Sequence, residues 1–326
     1  MRALVVSNML PDERHPERGS FVRDQVAALR ELGDLDVELY EFPPGGRSLL
    51  GAARSLRRLH GGPSTFTRRP SARPFDLVHA HFGLTAWPAL AVPTRVRALT
   101  VHGTDLSHPR TRLLTAAALP SIDLLAAVSA SLVGELPGAA ARRRAHVLPC
   151  GVDVARFSPM PRALARAELG LDPGAPHLLF PADPLRAEKR HDLAAELARS
   201  LGAELRTLGA VDPSEVHLWV NAANAVIVPS DREGFGLAVL EALACDVPVL
   251  ATPVGIHAEA LDGIQGALCA PFDIELWRST AAVHLAADDP RVEGRASAER
   301  FSAVTMAGRV AAAWRAALAR SGQRSG

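Results

Sequence analysis

The chain is short of several residue types that would suggest common classes of function. It has 326 residues, and of its 36 basic residues only Lys189 is a lysine. Its three cysteines, Cys150, Cys245 and Cys269, are far apart and odd in number. No Cys-x-x-Cys pair or Cys/His cluster indicates a zinc site or a disulfide framework, so we expect a reducing, cytoplasmic environment.

Long hydrophobic runs and strong net charge are also missing. No window approaches the roughly 18 uninterrupted apolar residues of a membrane span. With a net charge of +1, the composition gives no reason to expect a nucleic-acid partner. There is no Gly-x-Ser-x-Gly elbow, no Gly-x-Gly-x-x-Gly after the first strand and no Walker glycines before Lys189, which disfavours serine hydrolases, nicotinamide dehydrogenases and P-loop proteins.

Short apolar runs alternate with segments of helical periodicity along the whole chain. This alternation predicts α/β folding with parallel sheets and helices on both faces. A Pro-rich break at 149–163 separates two such series, so we expect two doubly wound, Rossmann-like domains that face each other across a cleft. The predicted strands are Ala3–Ser7, Asp36–Tyr40, Leu77–His81, Ala98–His102, Leu124–Val128, His146–Leu148, Leu178–Pro181, Glu204–Leu208, Ala225–Val228, Val247–Ala251 and Gly266–Cys269.

The most informative stretch is PSDREGFGLAVLEALACDVPVLATPVG at 229–255. A strand ends before it, and a helix is predicted from about Gly236 to Ala244. Free N–H groups at the start of that helix would form an anion site suited to a diphosphate. Glu233 and Glu241 flank this site, and a carboxylate can accept two hydroxyl protons of a sugar diol. The alternative is that one glutamate only complements the helix dipole and the other is a surface residue.

This glutamate run resembles the family-4 retaining glycosyltransferases of the GT-B fold. Further segments resemble other parts of that family in the same order, and the forms HAHFGL and ADPLRAEKR are similar to members that build teichuronic acid or exopolysaccharides. These segments are RHPERGSFVRDQVAALRELG (14–33), DLVHAHFGL (76–84), VHGTDL (101–106), AVSASL (127–132), VLPCGVDVARFSP (147–159) and FPADPLRAEKRHDLA (180–194).

The resemblance implies a division of the chain and a role for each domain. Residues 1–158 would form a Rossmann-like domain on the acceptor side. Residues 159–304 would form the Rossmann-like domain that binds the nucleotide sugar. Residues 305–326 would form a helix that crosses back to the first domain. Separately, helical periodicity over Ser302–Arg320 predicts an apolar side carrying Val304, Val310 and Trp314.

The resemblance also implies site residues. Glu241 would hold the nucleotide ribose, Glu233 would contact donor-sugar hydroxyls, and the Phe235–Leu237 amides would meet sugar and diphosphate. Lys189 with Arg186 would neutralise the diphosphate, including charge that develops on the leaving group. The predicted catalytic residues are His102, Arg186, Lys189 and Glu233, and the predicted donor-binding residues are Gly19, Ser20, Gly234, Phe235, Gly236, Leu237 and Glu241.

The chain departs from the family pattern at a few of these positions. Pro184 stands where family members carry an arginine five residues before the lysine, and Arg186 is the nearest replacement. Arg190 occupies the place of the glycine that usually follows the lysine. Ser20 replaces the second glycine of the first loop, and Cys150 replaces an asparagine. None of these changes removes a group that the chemistry must have.

Histidines near the ends of the predicted strands need separate consideration. His79 and His81 alternate along one strand and therefore share a face. They could be metal ligands, but no carboxylate is near in sequence, and a buried or cleft histidine is favoured. His102 is either a residue at the reaction centre, as the resemblance implies, or a loop histidine that caps a helix. Asp105 is expected to cap a helix or shape the loop.

Residues 43–75 contain no acid and are rich in arginine. Leu49, Leu50, Ala53, Leu56 and Leu59 interleave with the first four arginines. The pattern is typical of a basic amphipathic surface helix, which either packs on the first domain with a solvated basic face or docks on an anionic membrane. The arginines are Arg47, Arg54, Arg57, Arg58, Arg68, Arg69 and Arg73.

We therefore expect a metal-independent retaining glycosyltransferase without a cofactor. Its substrates would be a nucleoside diphosphate sugar and a glycan or lipid-linked acceptor used in cell-surface polysaccharide or glycolipid synthesis. It would work in the cytoplasm, at the inner face of the membrane where the basic stretch could contact anionic lipid. The alternatives are a nucleotide-sugar epimerase on the same fold and a non-catalytic subunit that binds nucleotide sugar.

Overall fold

The computed structural model describes residues 1–13, 15–61, 75–209 and 211–323. Arg68, Arg69 and Arg73 of the predicted basic stretch lie outside these ranges. Contacts divide the chain into two compact units. Unit 1 comprises Met1–Asp12, Arg18–Cys150 and Val304–Gly326, and unit 2 comprises Glu13–Glu17 and Gly151–Ala303.

Unit 1 is built on a six-stranded sheet in which every pairing is parallel. The strand order is β2-β1-β3-β4-β5-β6. Its inner strands are mostly buried, as expected when helices cover both faces of a parallel sheet, whereas the two edge strands are half-buried or exposed at most positions. The strands are β1 (Arg2–Ser7), β2 (Asp36–Glu41), β3 (Phe75–His81), β4 (Thr94–Val101), β5 (Leu124–Ala127) and β6 (His146–Val147).

Unit 2 repeats this arrangement with a five-stranded parallel sheet. The strand order is β11-β10-β9-β7-β8. Leu178, Phe180, Ile227 and Leu250 of the sheet form a core with the fully buried Trp277. The strands are β7 (His177–Phe180), β8 (Glu204–Thr207), β9 (Ala225–Val228), β10 (Val249–Ala251) and β11 (Leu268–Cys269).

Helices connect the strands in both units. In unit 1 they are α1 (Ser20–Glu31), α2 (Gly46–His60), α3 (Ala86–Ala89), α4 (Thr104–Ser107), α5 (Pro109–Ala118), α6 (Ala130–Glu135) and α7 (Ala139–Arg144). In unit 2 they are α8 (Arg162–Glu168), α9 (His191–Leu201), α10 (Val216–Ala222), α11 (Leu237–Ala244), α12 (His257–Leu261), α13 (Ile274–Leu285) and α14 (Arg295–Glu299).

Each sheet has a point where the strand order reverses. In unit 1 it lies between β1 and β3, and in unit 2 it lies between β7 and β9. In doubly wound folds, ligands bind beyond the carboxyl ends of the strands at such a point. The predicted parallel sheets and all eleven predicted strands are present, with ends that differ by up to four residues. The loops after β1, β3, β7 and β9 are therefore the places to look for functional residues.

The last helix, α15 (Ala303–Gln323), begins and ends close to the predicted range. Val310 and Trp314 are buried in unit 1, as predicted. The prediction for Val304 was wrong, because its side chain is 65% exposed. Six residues separate Val304 from Val310, which turns it about 120° away from the buried stripe of the helix.

The basic stretch forms the helix α2 where it is described. Ala52 and Leu56 are buried, and the four arginines of the helix are exposed. Leu50 and Leu59 are 62% and 59% exposed on the same helix. Among the described residues, no helix is both long enough and apolar enough to span a bilayer.

Candidate active site

Two predicted site residues meet at the switch point of unit 2. Lys189 ends a short 3-10 turn in the loop after β7, and Glu233 lies in the loop after β9. The Lys189 Nζ lies 2.6 Å from Glu233 Oε1 and 2.7 Å from Oε2. Ser230 Oγ donates to Oε1 at 2.8 Å. The backbone N–H of Asp231 also donates to the Glu188 carbonyl, which joins the two loops.

The Glu233 carboxylate is held in its charged form. Burial would raise its pKa, but the Lys189 charge and the hydrogen bonds from Lys189 and Ser230 outweigh burial and lower it. The side chains of Lys189 and Glu233 are only 15% and 10% exposed. The pair is therefore a shielded ion pair, in which the attraction is screened less than at an open surface.

The helix α11 begins directly after this pair. Gly236 precedes the helix with a φ of 109°, a conformation that glycine adopts without strain. In the described part of the chain, no hydrogen-bond acceptor is found for the N–H groups of Phe235, Gly236 and Leu237. These amides and the positive end of the helix dipole are suited to an anion such as a diphosphate.

His257 packs directly against this glycine. A Cβ at position 236 would overlap His257 Nε2, so a larger residue does not fit there. His257 Nδ1 lies 2.8 Å from the Thr252 carbonyl, which can only accept, so this nitrogen carries the proton. Burial lowers the pKa of His257, and within the described residues its buried Nε2 has no partner.

The remaining predicted residues of this segment lie around the start of α11. Phe235 is buried, its carbonyl accepts from the Ile256 N–H at 2.9 Å, and its ring packs edge-on against Phe301. Gly234 and Glu241 are half-buried, and Glu241 lies in the second turn of α11. Glu233 therefore precedes the start of α11, and Glu241 follows that start by about one turn.

The arginines beside Lys189 have other partners. Arg186 donates from Nε and Nη2 to Glu188 Oε1 at 3.0 and 2.7 Å. Arg190 pairs with Asp192 and Asp231. Its φ of 56° is the left-handed value that a glycine adopts easily, which explains why this position is usually glycine in the family it resembles. Of the three cations, only Lys189 contacts Glu233 among the described side chains.

In unit 1, Gly19 ends the loop after β1, and Ser20 is the first residue of α1. Gly19 has a φ of 72°, and a Cβ there would overlap the Met9 carbonyl oxygen. The position therefore requires glycine on both counts. Its carbonyl accepts from the Val22 and Arg23 N–H groups, which fixes the first turn of α1.

His102 follows β4, beside the last residue of β3. Its Nε2 lies 3.0 Å from His81 Nδ1, and its ring packs against Phe21 and Phe82. Burial lowers the pKa of His102 well below its usual value, and the neighbouring His81 lowers it further. Asp105 shapes the loop, as expected, because its carboxylate accepts from the N–H groups of Gly83, His102 and Gly103.

Three further residues belong to these sites and were not singled out in the sequence. Ser230 contacts Glu233, His257 packs on Gly236, and Gln25 contacts His81. Ser230 stands three residues before Glu233, which is a weak signal. Nothing local marks His257 or Gln25, because tertiary packing alone brings them to these positions. Among the described residues, no group of His, Cys, Asp or Glu is arranged to hold a metal ion.

Two family models match the chain, one in each half. Residues 18–156 match "Glycosyltransferase Family 4", and residues 183–288 match "Glycosyl transferases group 1". Together the two matches include every predicted site residue. The division between them falls near the boundary of the two units.

Three curated relatives share the name D-inositol 3-phosphate glycosyltransferase. The protein from Pseudarthrobacter chlorophenolicus is 29% identical over 89% of this chain and 78% of its own length. The one from Segniliparus rotundus is 32% identical over 74% of this chain and 66% of its own length. The one from Mycolicibacterium gilvum is 34% identical, and the alignment covers half of this chain and 44% of that protein.

Solved structures share the fold across nearly the whole chain. Sucrose-phosphate synthase from Thermosynechococcus elongatus has a TM-score of 0.69 at 18% identity, covering 98% of this chain and 100% of that chain. Anabaena HepE in complex with UDP and glucose has a TM-score of 0.65 at 15% identity, covering 96% and 99%. The predicted fold class and family are confirmed: the chain belongs to the group 1, family-4 glycosyltransferases, has the GT-B fold, and is a sugar-transferring enzyme.

Proposed function

We propose that the enzyme transfers a sugar from a nucleoside diphosphate donor to an acceptor hydroxyl and retains the anomeric configuration. The observation that carries the proposal is the Lys189–Glu233 ion pair beside the Phe235–Leu237 amides at the switch point of unit 2. A cation, a ring of N–H donors and a shielded carboxylate are the groups that a diphosphate joined to a sugar needs.

In unit 2, Lys189 and the amides bind the diphosphate and stabilise charge on the leaving group. Glu233 accepts hydrogen bonds from donor-sugar hydroxyls, and Glu241 accepts them from the ribose. Arg186 lies three residues before Lys189 and is half-exposed, so it can exchange Glu188 for a phosphate oxygen. Because these groups supply the positive charge, the reaction is proposed to need no metal and no cofactor, and it should persist in EDTA.

In unit 1, His102 contacts the donor sugar, and Gly19 with Ser20 lets the loop after β1 approach phosphate and acceptor. No side chain in the proposed site is assigned as a nucleophile. The bond from the anomeric carbon to the phosphate oxygen breaks, and the bond to the acceptor oxygen forms on the same face. The acceptor proton passes to the departing phosphate oxygen.

The acceptor is proposed to be a hydroxyl of a glycan or of a lipid-linked saccharide, used in cell-surface polysaccharide or glycolipid synthesis. The shared name of the relatives makes D-inositol 3-phosphate the first soluble acceptor to compare with it. HepE, which shares the fold, was solved with UDP-glucose, so UDP-glucose is the first donor to try. The resemblance to teichuronic-acid enzymes stays a prediction.

Unit 1 also offers a surface that fits an anionic membrane. The exposed arginines of α2 lie beside exposed Leu50 and Leu59. The helix packs against α3, which carries exposed Trp87, and α3 packs against α5, which carries exposed Leu113 and Leu114. Cations with apolar side chains between them bind anionic headgroups and the region just beneath them. This surface would place the enzyme at the cytoplasmic face beside a lipid-linked acceptor.

The proposal is tested by incubating the purified enzyme with UDP-, GDP- and ADP-sugars, with D-inositol 3-phosphate, with lipid-linked saccharides, and with no acceptor. Transfer with retained configuration, abolished in Lys189→Met and kept in Arg278→Ala, supports it. Arg278 is a suitable control because it forms an exposed ion pair with Glu275 in the same unit.

The two alternatives give different results in the same assay. An epimerase would release free nucleoside diphosphate or an altered sugar without any acceptor. A non-catalytic subunit would bind nucleotide sugar, with no turnover under any of the conditions. Either result would overturn the proposed transfer.

A further inference from the structure

Three histidines form a column at the carboxyl ends of β3 and β4. The rings of His79 and His81 lie 4.6 Å apart between centroids, and those of His81 and His102 lie 5.1 Å apart and stacked. His79 and His81 are buried, and His102 is half-buried. Burial lowers the pKa of each, to about 3 for His81, so every ring is neutral and carries one N–H at physiological pH.

The Trp314 indole determines which ring nitrogen of His79 carries the proton. The Trp314 indole N–H lies 3.1 Å from His79 Nδ1. An indole nitrogen only donates, so His79 Nδ1 accepts and its proton lies on Nε2. From there it faces Thr100 Oγ1 at 2.8 Å. His79 contacts His81 by ring packing and makes no hydrogen bond to it.

The protons of the other two histidines are linked to Gln25. The amide nitrogen of this buried α1 residue lies 3.4 Å from His81 Nε2. An amide N–H₂ only donates, so His81 Nε2 accepts and its proton lies on Nδ1. That proton is donated to His102 Nε2 at 3.0 Å. His102 Nε2 is then an acceptor, which leaves the His102 proton on Nδ1.

Among the described residues, His102 Nδ1 has no hydrogen-bond partner. It is not one of the fully buried polar atoms that lack a partner, so a ligand can reach it. Its ring is held by Phe21 on one side and Phe82 on another. A held ring with one unused N–H is suited to donate to a ligand oxygen. A ring with the opposite tautomer would offer a lone pair instead.

We propose that Gln25 is a positioning residue that fixes His102 as its Nδ1–H tautomer, so that His102 donates a hydrogen bond to a hydroxyl or phosphate oxygen of the substrate. The second half rests on the proposed function, because it needs a sugar nucleotide to receive the bond. His102 in this form cannot take the acceptor proton at Nδ1. That agrees with transfer of the proton to the departing phosphate oxygen.

The tautomer is measured directly by long-range ¹H–¹⁵N correlation on protein labelled at the histidine rings, with His102 assigned from the spectrum of His102→Asn. A protonated Nδ1 in the free wild-type protein supports the proposal, and a protonated Nε2 overturns it. This reading does not require any activity, so it is independent of whether the proposed function holds.

Two variants separate the positioning role from general packing. Gln25→Leu removes the donor, so His102 should become a mixture of both tautomers, and kcat/KM should fall in proportion to the lost Nδ1–H form, about twofold for an equal mixture. Trp314→Phe is the matched control. It removes only the hydrogen bond that fixes the tautomer of His79, so the His102 signals should not change. An unchanged His102 tautomer in Gln25→Leu, or a mixture with unchanged kcat/KM, overturns the role of Gln25. Lack of transfer by wild type would count against the proposed function alone.

Discussion

Lys189 and Glu233 stand 44 residues apart in the chain, yet the lysine Nζ donates to both oxygens of the glutamate at 2.6 and 2.7 Å. The contact joins the loops that follow β7 and β9, the two strands on either side of the point where the order of the sheet reverses. Two residues with predicted roles toward the donor thus neutralise each other in the free enzyme. A diphosphate that binds here must share or replace this contact. We therefore expect changes to either residue to affect both stability and activity.

Replacing Lys189 by methionine should cost both stability and activity. The variant leaves Glu233 shielded and unpaired except for Ser230, so the free energy of unfolding should fall by about 3 kcal/mol. Transfer should fall about 100-fold or more, because the cation at the leaving group is lost. Adding Glu233→Gln should restore most of the melting temperature and none of the activity.

The neighbouring Arg190→Gly serves as the control for that experiment. It removes the adjacent cation and relaxes a left-handed backbone, so activity should stay within about twofold of wild type. Recovery of transfer in the Lys189→Met/Glu233→Gln double variant would show that the lysine has only a structural role.

Gly236→Ala should damage the start of α11. The new methyl group would overlap His257 Nε2 at a φ of 109°, so we expect a loss of about 3 kcal/mol in unfolding free energy. The affinity for a nucleoside diphosphate, measured by calorimetry, should fall as well, because the amides are displaced.

Gly263→Ala is the matched control. It has a φ of 72° with no atom near its Cβ, and it should lose only about 1 kcal/mol with unchanged affinity. Equal losses in the two variants would contradict the packing role of His257.

Acid should destabilise the enzyme through its buried histidines. Burial lowers the pKa of His81 from 6.5 to about 3, so as pH falls through 6.5 the unfolded chain takes up the proton and the folded chain does not. Stability that is fully present above pH 6.5 is therefore lost as pH falls toward about 3. Asp105 opposes this trend below about pH 6, because burial raises its pKa to about 6 and it takes up a proton in the folded state first.

The His81→Asn variant isolates the contribution of one ring. Below pH 6.5, the stability gap between wild type and variant should shift by about 1.4 kcal/mol per pH unit in favour of the variant. Denaturant unfolding at several pH values measures the gap. A gap that does not change with pH would mean that His81 takes up its proton as readily in the folded protein as in the unfolded chain.

Binding to anionic vesicles should depend on the exposed face of α2. Arg54→Glu with Arg58→Glu should abolish flotation with phosphatidylglycerol vesicles at low salt, because each arginine contributes about 1 kcal/mol near such a surface. Arg143→Glu with Arg309→Glu changes the net charge equally at exposed sites elsewhere in unit 1 and should leave flotation intact. Failure of the wild-type protein to float at low salt would remove the membrane proposal.

Much of the fold followed from local pattern. Short apolar runs such as β1 and β9 are typical of central strands, and their alternation with helices favours parallel sheets. The segment at 229–255 predicted the start of α11 to within one residue, because a strand end, glycines and a helix follow one another in a short stretch. Val304 was misplaced because being apolar does not by itself put a residue on the buried stripe of its helix.

The partners of the site residues could not be predicted from local sequence. Nothing in the sequence around Lys189 shows that it meets Glu233 or that Arg186 pairs with Glu188, because such contacts depend on which loops the strand order brings together. The same holds for Gln25 beside His81, since these two residues are 56 positions apart in the chain. The sequence by itself determined which elements form and which residue types stand at the strand ends. Tertiary structure alone decided which charge neutralises which and which nitrogen of His102 holds the proton, because hydrogen bonds are set by distances that no local pattern records.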